Sequence, residues 1–251
     1  FIFWCKLSFM RMFDGKKHAK LLDERIKAYI QQNPVEGVLG IVQVGDDPGS
    51  NKYIDIKQRY CQKIGIPIKI LKIDQNLADG FIYERVEEFF KDNYITGGII
   101  QLPLPRESLN KILDLIPSKK DIDLLSGHSM KKFYDGDFSK LSPVVRSFDY
   151  FIQQNNIKIR KEKCLILGKG VLIGKPLEKY LKHLGGRTDI ISKYSTGAPI
   201  NCHLLVLGAG VPDLVMGEDI NEGCNIVDFG YSVVNGRSTG DLCLNSSLNH
   251  L

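Results

Sequence analysis

Apolar positions along this chain alternate between two spacings. Past Gly15, Ala19, Leu22, Ile26, Tyr29 and Ile30 fall at helical spacing, which predicts an amphipathic helix over residues 16–32. Val38-Leu-Gly-Ile-Val-Gln-Val44 is an apolar run of strand length, ended by the turn cluster Gly45-Asp-Asp-Pro-Gly49. Ser50 reads as the N-cap of a helix running to about Ile64 and closed by Gly65. There follow a strand over 67–73, a helix over 77–93 with Phe81, Val86 and Phe89 on its apolar face, and a short strand over 98–101. Pro103 and Pro105 cut that strand off. From Ser142-Pro143 the alternation restarts, with a helix over 147–154 and a strand over 163–168 entering a glycine-rich turn. A helix over 177–184 and strands near 188–191, 203–207 and 225–229 complete it.

Strand–helix alternation on this scale predicts an α/β protein with mostly parallel sheets covered by helices. The restart implies two αβα domains, residues 13–144 and 145–251, meeting around 143–147 without a flexible linker. At 251 residues the chain is long enough to bury a core in each.

Composition narrows the function classes. Apolar residues at 43% and charged residues at 25% are ordinary for a globular protein, and no segment reaches the roughly 20 apolar residues of a membrane span. The net charge of +5 is scattered, without basic runs or interleaved aromatics, so a nucleic-acid partner is not expected. Cys5, Cys61, Cys164, Cys202, Cys224 and Cys243 show no CxxC or framework spacing, which reads as reduced thiols in the cytoplasm. His18, His128, His183, His203 and His250 are equally dispersed, so no metal site is expected. Residues 1–10 are apolar but lack a basic n-region and a small-residue cleavage site, against a signal peptide. They read as an upstream extension, with the natural start near Met10 or Met12.

The candidate chemistry begins with Tyr53 and Lys57, at i and i+4 on the helix after the first strand, on one face above that strand's end. Open α/β sheets bind ligands there. A lysine serves as proton donor or acceptor if burial lowers its pKa, and a phenol stacks on or hydrogen-bonds a planar substrate. By itself such a pair is more often surface decoration. Gly97-Gly-Ile-Ile-Gln101-Leu-Pro-Leu-Pro105 adds an amide at a strand's end, placed to orient a lysine head group, though alone it is more often a capping amide. Pro117-Ser-Lys-Lys-Asp121-Ile-Asp123 adds two alternating carboxylates. One of them has the chemistry to accept two hydrogen bonds from an amino-pyrimidinone edge; a solvated acidic turn is the plainer explanation.

Together these stretches resemble the bifunctional methylene-tetrahydrofolate dehydrogenase/cyclohydrolase family. The resemblance is carried by Val44-Gly-Asp-Asp-Pro-Gly-Ser50 with Tyr53-Ile-Asp-Ile-Lys57, by Gly98-Ile-Ile-Gln-Leu-Pro-Leu-Pro105, and by Lys120-Asp-Ile-Asp123. Gly168-Lys-Gly-Val-Leu-Ile-Gly174-Lys-Pro176 and Val227-Asp-Phe-Gly230 followed by Gly240-Asp241 extend it in the same order, over roughly residues 13–242. The resemblance implies an N-terminal catalytic domain and a C-terminal Rossmann-like nucleotide-binding domain, with tetrahydrofolate in a cleft between them. Lys57, positioned by Gln101, would move protons at the one-carbon bridge, with the pterin near Tyr53 and held by Asp123. Ser50, Leu102 and Pro103 are the further substrate contacts implied. Gly168, Lys169, Gly170, Ile173, Gly174, Pro176, Lys193 and Ser195 are those implied for the nucleotide. The implied reactions are oxidation of 5,10-methylene-tetrahydrofolate to the methenyl cation and its hydrolysis to 10-formyl-tetrahydrofolate, by a homodimer.

Departures from the family pattern lie mostly on the nucleotide side. Lys169 and Gly170 stand where the family usually has arginine and serine, keeping a charge but losing the bidentate fork and a hydroxyl. Lys169 favours a 2′-phosphate, hence NADP, with NAD the alternative. Pro143-Val-Val-Arg146 replaces a Pro-Cys-Thr-Pro-like junction, and Lys193-Tyr-Ser195-Thr196 replaces a His-Ser-x-Thr-like stretch. The glycine- and proline-rich segment expected after Gly240-Asp241 is missing, which reads as a C-terminal truncation. Three alternatives follow: an enzyme with the hydrolase activity only, a folate-binding homologue without turnover, and a plain Rossmann-type dehydrogenase of another small substrate.

Overall fold

Helices and strands alternate through a computed structural model that describes residues 2–5, 11–234 and 236–244. Two compact units result, one of residues 19–142 and one joining residues 1–18 to 143–251.

The first unit is built on three parallel strands, β3 (Val38–Val44), β4 (Ile68–Ile73) and β5 (Ile95–Ile100), in the order β4-β3-β5. Helix α1 (Gly15–Gln32) precedes them, α2 (Pro48–Ile64) joins β3 to β4, and α3 (Asp79–Lys91) joins β4 to β5. Both faces of β3 are covered, which is why its sequence is a near-continuous apolar run rather than an alternation. Val42 and Val44 face a core shared with Ile82, Val86 and Phe90 of α3 and with Leu109 and Ile112 of a 3-10 run, Glu107–Leu115. Ile41 and Ile99 face Ile54 of α2 instead. The period of two puts Gln43 on the α2 face with Ile41. After the 3-10 run, Lys120 to Ile122 add to β5, with Gly98 and Asp121 forming a parallel bridge. Helix α4 (Gly127–Asp135) follows.

The second unit holds helices α5 (Pro143–Gln154) and α6 (Gly174–His183) and a six-stranded sheet. Its parallel strands are β6 (Lys163–Leu167), β7 (Arg187–Ile191), β8 (Leu204–Leu207) and β9 (Asn225–Asp228), ordered β9-β8-β6-β7. Of these four, β6 comes first in the chain and lies inside the row, and the order reverses beside it, between β6 and β8, as in doubly wound nucleotide-binding sheets. Leu167, Leu205, Leu207 and Ile226 pack on Ile200, Val215, Ile220 and Leu242. A two-stranded ribbon, β10 (Ser232–Val234) and β11 (Arg237–Thr239), comes late in the chain.

The structure adds elements that periodicity does not announce. Within the apolar N-terminal stretch, β1 (Ile2–Cys5) pairs antiparallel with β9 and with β2 (Arg11–Phe13). Residues 6–10 of that stretch lie outside the described residues. Phe13 stacks on His18 at 4.2 Å between ring centroids, and the His18 Nδ1 lies 2.9 Å from the Tyr150 hydroxyl of α5. The helix expected over 77–93 is shorter at both ends, because Ala78 and Asp92 have extended or irregular backbone. The helices expected from 147 and 177 begin earlier, at Pro143 and Gly174.

Candidate functional site

Helix α2 starts at Pro48, two residues before Ser50, which corrects the expected cap. Asp47 is the N-cap: its Oδ2 accepts the Ser50 backbone amide at 2.7 Å, and Pro48 occupies the first turn, where a missing N–H costs nothing. Ser50 is therefore inside the helix, buried, and its hydroxyl is free of capping duty. It donates instead to the Leu102 carbonyl at 3.2 Å. The far end is as expected, with Gly65 in the left-handed conformation at φ 81°.

Two turns into this helix, the Lys57 Nζ donates to Gln101 Oε1 at 2.9 Å. The Gln101 amide cannot turn freely, because its Nε2 donates to the same Leu102 carbonyl at 2.7 Å and so leaves Oε1 facing the lysine. Gln101 follows β5 directly, and its backbone amide is held by the Val42 carbonyl of β3 at 2.8 Å. Strand order in this unit reverses between β3 and β5, so the pair sits at the switch point, beyond the carboxyl ends of the strands. Ser50, Lys57, Gln101 and Leu102 form one bonded group. Leu102 joins Pro103 through a cis peptide, and Pro103 is exposed.

The two alternating carboxylates have separate fates. Asp121 is buried and spent on its own loop, its Oδ2 accepting the Ser126 amide at 3.1 Å and the Ser126 hydroxyl at 2.7 Å. Asp123 is half-buried. Burial holds its carboxyl above the ordinary value and Asp121 adds to that, while the positive charge of Lys57 pulls the other way. Leu124 then turns the chain with φ 55°, a left-handed conformation that costs a branched residue about 1–2 kcal/mol. Tyr53 stands one turn before Lys57, 48% exposed, with its ring open to solvent.

Sequence reasoning missed two amides beside this group. Gln43 is 2% exposed, and its Nε2 donates to Asn51 Oδ1 at 2.8 Å. Asn51 passes the chain on to Asp46 Oδ1, also at 2.8 Å. Gln43 Oε1 has no hydrogen-bond partner among the described residues. The signal was visible: one amide within an otherwise apolar strand, which a covered sheet face does not call for.

The glycine-rich turn lies in the second unit. It leaves β6 at Gly168, stays exposed through Lys169, Gly170, Val171 and Leu172, and enters α6 at Gly174. Gly168 has φ 110°, and a side chain there would run into the Gly208 carbonyl after β8; one on Gly174 would strike the Gly168 carbonyl. The turn is thus drawn tight at its two buried ends and open between them, with a helix N-terminus behind it. That is the cradle a dinucleotide pyrophosphate requires. The Gly168 amide is also tied to the Ile191 carbonyl of β7 at 2.8 Å. Ile173 and Pro176 are half-buried around the helix start, and Lys193 and Ser195 are exposed on the loop after β7. These residues all lie beyond the carboxyl ends of β6 and β7, and they fit a nicotinamide nucleotide.

Among the described residues, no cluster of histidine, cysteine, aspartate or glutamate could hold a metal ion, and no helix is long and apolar enough to cross a membrane. Cys202 and Cys224, distant in sequence, bring their Sγ atoms to 3.7 Å without forming a disulfide.

Comparison with known proteins follows the same division. Residues 13–123 match the family model described as tetrahydrofolate dehydrogenase/cyclohydrolase, catalytic domain, and residues 145–250 match its NAD(P)-binding domain. A bifunctional protein FolD of Mycoplasma mobile is 30% identical over 242 residues, covering 93% of this chain and 85% of the relative. Its counterpart in Clostridium tetani is 28% identical, over 91% of this chain and 85% of the relative. Among solved structures, the bifunctional FolD enzyme of Campylobacter jejuni superposes with a TM-score of 0.85 at 22% identity, covering 94% of this chain and 87% of that one. The Trypanosoma brucei enzyme, complexed with NADP and an inhibitor, gives 0.82 at 19% identity, over 94% and 86%.

Proposed function

The chain belongs to the tetrahydrofolate dehydrogenase/cyclohydrolase family, and from that premise we propose that Lys57, held by Gln101, is its proton-transfer group. The protein oxidises 5,10-methylene-tetrahydrofolate with a nicotinamide cofactor and hydrolyses the methenyl product to 10-formyl-tetrahydrofolate. The observation that carries our assignment is the 2.9 Å bond from Lys57 Nζ to Gln101 Oε1 at the β3/β5 switch point.

The hydrolysis sets out what that site must do. Water adds its oxygen to the methenyl carbon, the bond from that carbon to N5 breaks, N5 gains one proton and a second proton is released. One group that takes a proton from the adding water and returns one at N5 serves both steps. A lysine on a flexible stem, with its head group steered by a fixed amide oxygen, has the reach for it. Asp123, ionised, pairs with the amino-pyrimidinone edge through two hydrogen bonds. Tyr53 offers its exposed ring as a stacking surface for the pterin, and Ser50, Leu102 and Pro103 shape the adjoining wall.

A bound nicotinamide would supply the hydride acceptor of the first reaction. Gly168, Gly170, Ile173, Gly174 and Pro176 would hold it, offering backbone and the start of α6 to its pyrophosphate. We assign the preference to NADP, because Lys169 and Lys193 place positive charge at the ends of β6 and β7, where Ser195 adds a hydroxyl. The working form is proposed as a cytoplasmic homodimer of residues 13–144 and 145–251 as its domains, a state that light scattering of the purified chain tests.

The deciding experiment follows methylene-tetrahydrofolate oxidation with each nucleotide beside direct methenyl hydrolysis. Lys57→Met should abolish hydrolysis, by a factor of about 100 or more if general acid–base transfer is lost, with folate binding largely retained. An unchanged hydrolysis rate would remove Lys57 from the role. Hydrolysis without any nucleotide-dependent oxidation would favour the hydrolase-only alternative that the altered turn residues raise.

A further inference from the structure

Two carboxylates of the second unit take no part in the sites above, although their motifs run through the family resemblance. Asp241 is 0% exposed and Asp228 is 7% exposed. Burial pushes both carboxyls above the ordinary value, and what pulls them back is a set of backbone amides. Asp241 Oδ2 accepts the Ala209 and Gly210 amides at 2.6 and 3.1 Å, and its Oδ1 accepts the Val211 amide at 2.9 Å. Asp228 braces the same segment from the end of β9, accepting the Gly230 amide at 2.7 Å and the Leu242 amide at 3.0 Å. The Asp213 amide donates to the Gly240 carbonyl at 3.1 Å, and the Val215 amide to that of Asp241 at 3.0 Å. Residues 240–243 therefore run beneath the loop that leaves β8 and hold it along its length.

The place of that loop decides what the clamp is for. It follows β8, next to β6, where the strand order of this sheet reverses. Its first residues press on the glycine-rich turn, since a side chain on Gly168 would meet the Gly208 carbonyl and the Ala209 amide nitrogen. Its outer face is open: a side chain on Gly210 would meet nothing within 4 Å, and Val211 is 46% exposed. Three consecutive amides are turned inward to one carboxylate, while Gly210 and Val211 keep an open outer side.

We propose that Asp241, braced by Asp228, is a positioning residue for the nicotinamide nucleotide, holding residues 209–211 so that this loop and the Gly168 turn form one preformed rim. The proposal rests on the nucleotide-binding reading of this unit. Without the clamp the loop must be ordered at each binding event, which weakens affinity by the entropy of ordering it. Asn at position 241 keeps one acceptor oxygen but turns an amide group towards donors, so it releases part of the loop while preserving volume. The Ser232 hydroxyl offers an independent tether, donating to the Gly210 carbonyl at 3.0 Å from the exposed side.

The test uses the full chain, amide hydrogen exchange and direct titration with NADP. Asp241→Asn should speed exchange at 209–211, raise the NADP Kd about tenfold or more, and raise the nucleotide KM while kcat at saturation and methenyl hydrolysis stay near wild type. Faster exchange with an unchanged Kd overturns the proposal, and so does unchanged exchange. Should Asp241→Asn unfold the unit, seen as exchange throughout 143–244, Ser232→Ala decides: it should weaken NADP about threefold, and an unaltered Kd with a loosened loop counts against the clamp. A wild-type chain that binds neither NADP nor NAD overturns the nucleotide reading, and the proposal with it. Equal binding by wild type and Asp241→Asn overturns the proposal alone.

Discussion

Asp123 and Asp121 are two residues apart, yet their surroundings give them different work. Asp121 accepts hydrogen bonds from Ser126 on one oxygen and from the Leu125 amide on the other, whereas Asp123 is left half-buried with its carboxyl raised, chiefly by burial. A carboxyl raised in this way is protonated at a higher pH than a free aspartate, and protonated it loses one of the two acceptors a pyrimidinone edge needs. The folate KM should therefore rise on the acid side at a pH above the ordinary carboxylate range, and Asp123→Asn should show a high KM without that acid limb. An acid limb that persists unchanged in Asp123→Asn assigns the titration to another group. At this scale the sequence offered candidate residues by type and spacing, and the roles expected of them came from the family resemblance. Type and spacing could not say which aspartate was spoken for, because Ser126 reaches Asp121 only through the turn that follows.

Element boundaries depend on caps, and α2 shows how a correct element can carry a wrong start. Two side chains near its beginning, Asp47 and Ser50, are both good N-caps by type. The backbone chose Asp47, because Pro48 suits the first helical position and the Asp47 carboxylate accepts the Ser50 amide, which leaves Ser50 inside the helix with its hydroxyl donating to the Leu102 carbonyl. Asp47→Ala should cost about 1 kcal/mol of stability and loosen the helix end that carries Ser50; a thermal melt that does not move would show the cap to be idle. Strands and long helices were legible because their periods are local. The 3-10 run Glu107–Leu115 and the nine-residue α4 were not, since short segments of mixed polarity owe their shape to what they pack against.

Across the whole molecule, acidic groups split by unit in their effect on stability with pH. In the second unit, Asp228 and Asp241 have folded values raised above the ordinary 3.8. They bind protons more tightly when folded, so the stability they lend is fullest at low pH and is lost as pH rises through their raised values. In the first unit, Asp23, Asp79, Asp92 and Asp137 are lowered by hydrogen bonds and nearby lysine or arginine, and lose stability only as pH falls below the ordinary range. Asp137 is exposed and the other three are half-buried at the surface, so solvent screens part of their share, and Asp123 acts in the opposite sense. Denaturant proteolysis with the cut sites mapped to each unit should find the second unit at least as stable at pH 5 as at pH 7. A second unit markedly weaker at pH 5 would show that the buried pair does not dominate its titration.

Resemblance to the family supplied the side chains expected to carry one-carbon chemistry; the sequence's own pattern determined the α/β class and the restart of the alternation near Pro143. Those properties are written in local period, turn chemistry and residue type, which need no distant partner. That Gln101 positions Lys57, 44 positions away, was implied by the family resemblance; how it does so, through an amide locked on the Leu102 carbonyl, was decided by the tertiary structure. It alone brought residues 2–5 alongside β9 and set Asp241 under a loop some 30 residues earlier in the chain. The physical reason is the same in each case. Burial and backbone pairing between remote segments fix where a polar atom points, and no spacing along the chain encodes that direction.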